Sequence, residues 1–277
     1  MIHIEQLHFS YRKHKPLFEG LNLQLEAGHI YGLLGKNGAG KSTLLKHISG
    51  LLFPQGGSCK VMNYNSMHRQ PGFLRELFLV PEEFYLPNVR ISSYVKSYAP
   101  FYPHFNKQEF SQYLQEFSIP PDQKLTDMSY GQKKKVLISF ALAANTKVLV
   151  MDEPTNGLDI PSKSQFRKVI AAAVSPEKCI VISTHQVRDL DNLIDSIVVI
   201  DEHRIIFRQD IATVTDKLCF KVVSDMADPA KVLFAESSLR GHAVILENDN
   251  GEHSKIDMEL LFNGLLANTA RIQQIFN

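Results

Sequence analysis

The sequence predicts an α/β fold built on a parallel sheet that helices cover on both faces. Three short apolar segments, at residues 148–151, 180–183 and 197–200, are separated by stretches with helical patterning. Apolar strands that alternate with helices are typical of parallel sheets buried on both faces. A glycine-rich stretch, GKNGAGKS at residues 35–42, follows a fourth apolar segment and precedes a helical pattern, which is a strand–loop–helix unit of the same fold class.

The first part of the chain predicts strands around one helix. Residues 21–26, LNLQLE, alternate apolar and polar side chains as a half-buried strand does, and residues 30–34 form a more apolar strand. A helical pattern begins near Lys41. Gly56-Gly57 indicates a hairpin turn, and residues 77–80 then predict a short buried strand.

The pattern changes twice in the remainder of the chain. From about residue 88 to 128, aromatic residues and prolines interrupt short helical patterns, which predicts a helical insertion. Beyond about Leu218 the strands are weaker, and residues 257–276 predict a final helix. We therefore expect a main domain over residues 1–217 and a small α+β extension over residues 218–277, for which the sequence indicates no chemistry.

Composition excludes several classes of protein. The 277 residues are 44% hydrophobic and 21% charged, which is ordinary for a globular protein. Lys and Arg number 30 against 29 Asp and Glu, so no basic field favours nucleic acid as a partner. The start lacks the pattern of a secretory signal, and no run of about 18 apolar residues predicts a membrane span. Three widely spaced cysteines fit neither a disulfide framework nor a zinc site, which favours a reducing cytoplasm.

The glycine-rich stretch matches the phosphate-loop pattern G-x-x-x-x-G-K-[ST]. Glycines let backbone N–H groups converge on phosphate oxygens, and the following helix adds its N-terminal dipole. Lys41 would reach the terminal phosphates, and Ser42 would ligate Mg²⁺. The candidate phosphate-binding residues are Gly35, Asn37, Gly38, Ala39, Gly40, Lys41, Ser42 and Thr43.

Candidate catalytic groups follow two of the predicted strands. VLVMDEPT places Asp152 and Glu153 at the carboxyl end of one strand, where open α/β sheets bind ligands. Asp152 would hold Mg²⁺, and Glu153 would orient or deprotonate the attacking water. His185 ends the next strand, IVISTHQ. A lone His there is more often structural, but at this sheet edge it becomes a candidate for contacting the γ-phosphate.

The stretch MSYGQKKKVL, residues 128–137, places three lysines in the first turn of a predicted helix. The N-terminus of a helix already carries positive partial charge, so these lysines are unfavourable there unless they form a solvated face or meet a strongly negative partner. Sequence alone leaves both alternatives open.

Together these motifs resemble the ATP-binding cassette (ABC) ATPases over about residues 1–210. GKNGAGKS resembles the Walker A motif and VLVMDE the Walker B motif. MSYGQ stands where the family has its LSGGQ signature. NGLD, which ends at Asp159, resembles the D-loop, and His185 resembles the switch histidine. The resemblance implies a P-loop, RecA-like parallel sheet with an antiparallel β subdomain, a helical subdomain, and hydrolysis of ATP with Mg²⁺. It places Tyr11 where the family stacks an aromatic ring on adenine.

The family arrangement also implies an origin for the negative partner of the lysines. Two cassettes meet head to tail, and the MSYGQ of one closes over the ATP of the other. Ser129 and the N–H of Gly131 would donate to the γ-phosphate, with Gln132 in the same motif. One or two of Lys133, Lys134 and Lys135 would face that triphosphate.

Two positions depart from the family pattern. Tyr130 stands where the family has a glycine, which adds bulk at a tight interface. After the strand at residues 77–80, where the family has the Gln of its Q-loop, the best match is Glu82. A carboxylate can ligate Mg²⁺, but it adds negative charge near the triphosphate.

The resemblance implies the ATPase subunit of a transporter, most similar to bacterial export systems. We expect a cytoplasmic protein held at the inner membrane face by a separate permease, which would dock on the helical insertion with aromatics such as Tyr94, Tyr98, Phe101 and Tyr102. We expect a dimer of identical or related cassettes, and no nucleic acid. The alternatives are a soluble ABC machine acting in cofactor assembly or DNA maintenance, and a small-molecule kinase that shares only the phosphate loop.

Overall fold

The computed structural model describes residues 1–12, 15–224, 231–239 and 241–276. Within them the strands are β1 (Ile2–Arg12), β2 (Lys15–Leu25), β3 (Ile30–Leu34), β4 (Gly56–Val61), β5 (Tyr64–Asn65), β6 (Leu77–Val80), β7 (Val148–Asp152), β8 (Cys179–Thr184), β9 (Ser196–Asp201), β10 (Arg204–Asp210), β11 (Leu218–Val223), β12 (Val232–Ser238) and β13 (Gly241–Glu247). The α-helices there are α1 (Lys41–Ile48), α2 (Pro71–Arg75), α3 (Ile91–Tyr98), α4 (Lys107–Glu116), α5 (Tyr130–Ala143), α6 (Ile160–Ala173), α7 (Ile211–Lys217) and α8 (Met258–Gln274).

The central sheet has the strand order β10-β9-β3-β8-β7-β6. All neighbouring pairs are parallel except β9 with β10, which form an antiparallel hairpin at the edge. The three apolar segments of the sequence become β7, β8 and β9, and β6 covers the predicted residues 77–80. The predicted α/β class with a parallel sheet is therefore confirmed.

The apolar strands are continuous because both faces of this sheet are covered. In β7, Leu149 and Met151 pack into a core with α5 and α6, whereas Val148 and Val150 pack into a second core with α1 and the N-terminal strands. Successive side chains of a strand point to opposite faces, so burial on both faces requires an apolar residue at every position.

The second sheet covers one of these faces and is antiparallel, with the order β2-β1-β4-β5. The alternating segment LNLQLE falls mostly in β2. The prediction of a hairpin turn at Gly56-Gly57 is wrong, because these residues begin β4. Gly57 has φ 76°, and a Cβ there would lie 2.0 Å from the carbonyl oxygen of Gln6. The glycine therefore allows β4 to approach β1 closely.

Helices α3 and α4 form the insertion between β6 and α5. At the end of the chain β11, β13 and β12 form a three-stranded antiparallel sheet, against which α8 packs. Asp257 caps α8 by accepting the N–H groups of Glu259 and Leu260. Among the described residues, no helix is both long and apolar enough to span a bilayer.

Candidate functional site

A cavity of about 480 Å³ lies at the carboxyl ends of β3, β6, β7 and β8. This is the sheet edge at which α/β folds bind ligands. The lining residues are Tyr11, Leu17, Asn37, Gly38, Gly40, Lys41, Ser42, Thr43, Glu82, Glu153 and His185. Candidate residues from five separate segments of the sequence therefore meet at one cavity.

The other candidate residues fall into two groups. Gly35, Ala39 and Asp152 belong to the same loop and strand as lining residues, without lining the cavity themselves. The remaining four lie outside it, at the start of α5 and of α6: Ser129, Gly131, Gln132 and Asp159.

The glycine-rich loop joins β3 to α1 and has the backbone freedom that its pattern predicts. Gly38 and Gly40 have φ 82° and 108°, which side-chain-bearing residues rarely adopt. A Cβ on Gly40 would lie 2.9 Å from the ring of Phe18. The loop can therefore turn its N–H groups toward the cavity at the N-terminus of α1, which suits an anion.

Lys41 is buried, and its side chain folds back over the loop. Its Nζ donates to the carbonyl oxygens of Gly35 (2.7 Å) and Lys36 (3.3 Å) and lies 3.7 Å from Oε1 of Glu153. Burial lowers the pKa of Lys41, although the charges of Glu153 and Asp152 oppose this shift. The ammonium is held where terminal phosphates would enter.

Asp152, the last residue of β7, is buried and hydrogen-bonded to the neighbouring strand. Its Oδ1 accepts a hydrogen bond from the hydroxyl of Ser183 in β8 at 2.5 Å. This bond orients the carboxylate at the end of the sheet.

Glu153 is only 4% exposed and has φ 45°, which is a strained backbone conformation for a residue with a side chain. Its N–H donates to the carbonyl oxygen of Ser183. Its Oε2 accepts the hydroxyl of Thr184 (3.1 Å), and its Oε1 lies 2.8 Å from Nδ1 of His185. Both carboxylate oxygens are therefore fixed by β8 and the residue that follows it.

This arrangement can support attack by water on a phosphoanhydride. The loop N–H groups and Lys41 can stabilise negative charge on phosphate oxygens, and the Glu153 carboxylate can accept a proton from water. The donor set for Mg²⁺ also fits, because Ser42, Asp152 and Glu82 supply only oxygen atoms, which that ion prefers. Ser42 and Glu82 line the cavity itself.

Tyr11 lines the same cavity and is 61% exposed. Its hydroxyl lies 3.1 Å from Oγ1 of Thr43, and its ring packs edge-on against Phe9. The ring is thus held at the rim of the cavity with much of its surface open, as a platform for a base requires.

The helix α5 begins with a capping box formed by Ser129 and Gln132. The N–H of Gln132 donates to Oγ of Ser129 (3.3 Å), and the N–H of Ser129 donates to Oε1 of Gln132 (2.9 Å). Because Ser129 accepts in this box, its hydroxyl proton is left to donate to an anion. Asp159 caps α6 in a similar way by accepting the N–H of Ser162.

Tyr130 turns back onto its own chain. Its ring stacks on Phe84 with centroids 5.1 Å apart, and its hydroxyl donates to the carbonyl oxygen of Glu82 at 2.6 Å. The ring also lies beside Gly157, where a Cβ would be 3.3 Å from a ring atom. The ring of Tyr130 is therefore held by contacts within its own chain, and it remains 46% exposed.

The three lysines after Gln132 do not share one environment. Lys134 is fully buried and bonds within the chain, whereas Lys133 and Lys135 are partly exposed. The hypothesis of a lysine facing a triphosphate on another chain therefore applies only to Lys133 and Lys135.

Glu82 is bound to the turn that follows Glu153. Its Oε1 accepts the side-chain amide of Asn156 at 3.0 Å. The sequence did not indicate this contact, nor the contacts of Lys134, Ser183 and Thr184. For Ser183 and Thr184 the sequence did contain a usable signal, because they form a polar pair that ends an apolar strand directly before His185.

Comparison with known proteins identifies the family. A model described as "ABC transporter" matches residues 18–156, half of the chain. The chain is 26% identical over 230 residues to the ABC transporter ATP-binding protein NatA of Bacillus subtilis (strain 168), covering 80% of this chain and 90% of that protein. It is 30% identical over 227 residues to the cobalt import ATP-binding protein CbiO of Salmonella paratyphi A, covering 74% and 79%.

A solved dimeric structure of the ATP-binding cassette MJ0796, in a post-hydrolysis state with ADP and Pi, superposes with a TM-score of 0.67 at 20% identity, covering 76% of this chain and 99% of that one. This likeness shows that the two share a fold. The matching model, the relatives and the phosphate-loop geometry agree: the chain belongs to the ABC transporter family, as one of its ATP-binding, ATP-hydrolysing cassettes.

Proposed function

We propose that this chain hydrolyses Mg²⁺-ATP at the interface of a head-to-tail dimer of cassettes and drives a separate membrane permease. One observation supports the proposal of a dimer. The cavity brings together Lys41, Glu153 and His185, but the signature residues Ser129 and Gly131 lie outside it, at the start of α5. A second cassette would supply the signature to this cavity, as in the dimer that the resemblance implies.

In this proposal each side chain has one task. Lys41 and the loop N–H groups bind the phosphates, Tyr11 stacks on adenine, and Glu153 accepts the proton of the attacking water. His185, beside Oε1 of Glu153, contacts the γ-phosphate. Ser42, Asp152 and Glu82 would hold Mg²⁺, which when bound supplies positive charge that stabilises the phosphate oxygens. Ser129 donates its free hydroxyl proton to the ATP of the partner.

The permease would dock beside the helical insertion. A groove there is lined by Phe84, Tyr85, Tyr98 and their neighbours, and Tyr85 is 86% exposed. The sequence also predicted that Tyr94 and Phe101 take part in docking. Tyr94 is buried in the core at 6% exposure, whereas Phe101 is exposed. Exposed aromatic rings around a groove are typical of protein interfaces.

The domain division and location are parts of the same proposal. Residues 1–217 form the ATPase domain and residues 218–277 an extension, and the protein lies in the cytoplasm against the inner membrane face. Export, which the resemblance implied, stays a prediction, since one relative is named as a cobalt import protein. The second cassette of the dimer is either another copy of this chain or a related chain.

A pull-down from the host's own membranes tests the proposal. The bait is tagged Glu153→Gln protein with ATP, added to detergent-solubilised membranes, and recovered proteins are identified by mass spectrometry. A multi-span membrane protein in stoichiometric yield supports the transporter. A homodimer without a membrane protein, or a soluble partner, would favour the soluble ABC machine.

Removing the aromatic rings of the groove should weaken permease recovery. We expect the double variant Tyr85→Ser, Tyr98→Ser to recover less than a tenth of the permease, roughly, because central aromatic contacts contribute most of an interface's binding free energy. ATP hydrolysis by the isolated chain should be unchanged. Phe53→Ser is the control, since Phe53 is also an exposed aromatic residue but does not line the groove. Equal recovery for both proteins would rule out this docking surface.

Glu82→Gln should raise the Mg²⁺ concentration needed for half-maximal hydrolysis by about tenfold, because a neutral amide binds a divalent cation less tightly than a carboxylate. The measurement is a Mg²⁺ titration of phosphate release at saturating ATP. Glu83→Gln is the matched control, because Glu83 is the adjacent carboxylate but does not line the cavity. An unchanged titration for Glu82→Gln would remove Glu82 from the Mg²⁺ ligands.

A further inference from the structure

Lys134 is unusual because its side chain is fully buried although it is only the fifth residue of α5. Lysine is almost never fully buried unless it is paired. Burial lowers the pKa of Lys134, while the carboxylates of Glu82, Glu153 and Asp152 oppose that shift. These acids favour the charged ammonium at this position.

The ammonium group holds both ends of one turn. Its Nζ donates to the carbonyl oxygen of Glu153 at 3.0 Å and to that of Asn156 at 3.0 Å. The same turn is closed by the N–H of Asn156, which donates to the carbonyl oxygen of Glu153 at 3.2 Å. The ring of Tyr130 covers Nζ, with its centroid 5.5 Å away.

This turn carries the strained residue of the site. Glu153 has φ 45°, and a residue in that region persists only where its surroundings hold it there. The peptide carbonyl of Glu153 is fixed by Lys134, and its N–H is fixed by Ser183 of β8. The side-chain direction of Glu153 follows from this backbone, so its carboxylate position depends on a lysine that does not touch the cavity.

We propose that Lys134 is a positioning residue for Glu153, holding the turn that aims the carboxylate at the cavity. The lysine lies near the N-terminus of α5, about one turn after Ser129 and Gly131. In the proposed dimer the start of α5 contacts the partner's ATP, so Lys134 mechanically links the nucleotide bound at one site to the catalytic carboxylate of the other. This inference rests on the proposed function, in which Glu153 is the base.

Lys134→Met tests the inference because it keeps the length of the side chain and removes the ammonium. We expect kcat for ATP hydrolysis to fall by about 100-fold, as misplacement of a catalytic group by about 1 Å does. The Kd for ATP and KM should stay within about twofold of the wild type, because the phosphate loop is untouched. Cooperativity between the two ATP sites should decrease as well.

Lys178→Met is the matched control. Lys178 also donates to two oxygen atoms, Oδ1 of Asn145 (2.8 Å) and the carbonyl of Ala173 (3.1 Å), but it precedes β8 at the opposite edge of the sheet. It should lower the melting temperature without changing kcat. A comparable loss of kcat in Lys178→Met would show a general effect of destabilisation and overturn the inference.

A double-mutant cycle separates action through Glu153 from independent action. In a Glu153→Gln background, single-turnover hydrolysis should fall no further when Lys134→Met is added. A further 100-fold fall, or a Lys134→Met protein with the kcat of the wild type, would overturn the inference. If the Met variant does not fold, Lys134→Gln serves instead, since its amide keeps N–H donors, and kcat should then be intermediate with KM unchanged.

Failure of the proposed function can be distinguished from failure of the positioning role of Lys134. A normal hydrolysis rate in Glu153→Gln alone would reject the proposed base, whatever Lys134 does. A large loss in Glu153→Gln together with a normal rate in Lys134→Met would leave the proposed function intact and reject only the positioning role.

Discussion

Glu153→Gln should lower kcat for ATP hydrolysis by about 1,000-fold while ATP still binds, which is the size expected for loss of a general base. The amide has the shape of the carboxylate, and it can still accept the hydroxyl of Thr184 that bonds to Oε2. It cannot take a proton from water. Steady-state phosphate release and the Kd of a fluorescent ATP analogue measure the two effects separately.

The same variant should accumulate as a dimer with ATP bound, because closure occurs and hydrolysis does not follow. Size-exclusion chromatography with and without Mg²⁺-ATP measures this state. Glu116→Gln is the control, since Glu116 pairs with Lys168 away from the cavity. A Glu153→Gln protein that hydrolyses ATP at the normal rate would reject the assignment of the base.

Lys41→Ala should weaken ATP binding by about 100-fold. In the proposed function the ammonium would make two charge-assisted hydrogen bonds to phosphate. Each contributes about 1.5 kcal/mol, and about 3 kcal/mol corresponds to roughly 100-fold in Kd. The loss also leaves the buried Glu153 carboxylate without the ammonium that lies 3.7 Å from it. Isothermal titration calorimetry with ATP measures the change.

Lys46→Ala is the matched control, because Lys46 lies on the same helix α1 but is exposed and does not line the cavity. It should bind ATP as the wild type does. Tight ATP binding by Lys41→Ala would contradict the phosphate-loop assignment. The two catalytic variants also differ from each other: Glu153→Gln should bind without turning over, whereas Lys41→Ala should fail at binding.

The fold class and the position of the cavity were predictable because their signals are local. A run of three or four consecutive apolar residues in a strand reports burial on both faces, and β6, β7, β8 and β9 were found in this way. The glycines of residues 35–42 report a backbone that must turn closely around an anion. The glycine pair 56–57 misled the prediction, because a glycine needed for close strand approach looks the same in sequence as one needed for a turn.

The sequence by itself determined the parallel α/β sheet, the phosphate loop, and the acids and histidine at its edge. Only the tertiary structure decided that Lys134 points inward to the Glu153 turn, that Tyr130 stacks on Phe84, and that Glu82 bonds to Asn156. The physical reason is distance along the chain. Periodicity and turn chemistry are encoded within a few residues, whereas the direction of a side chain such as Tyr130 is set by packing against segments tens of positions away.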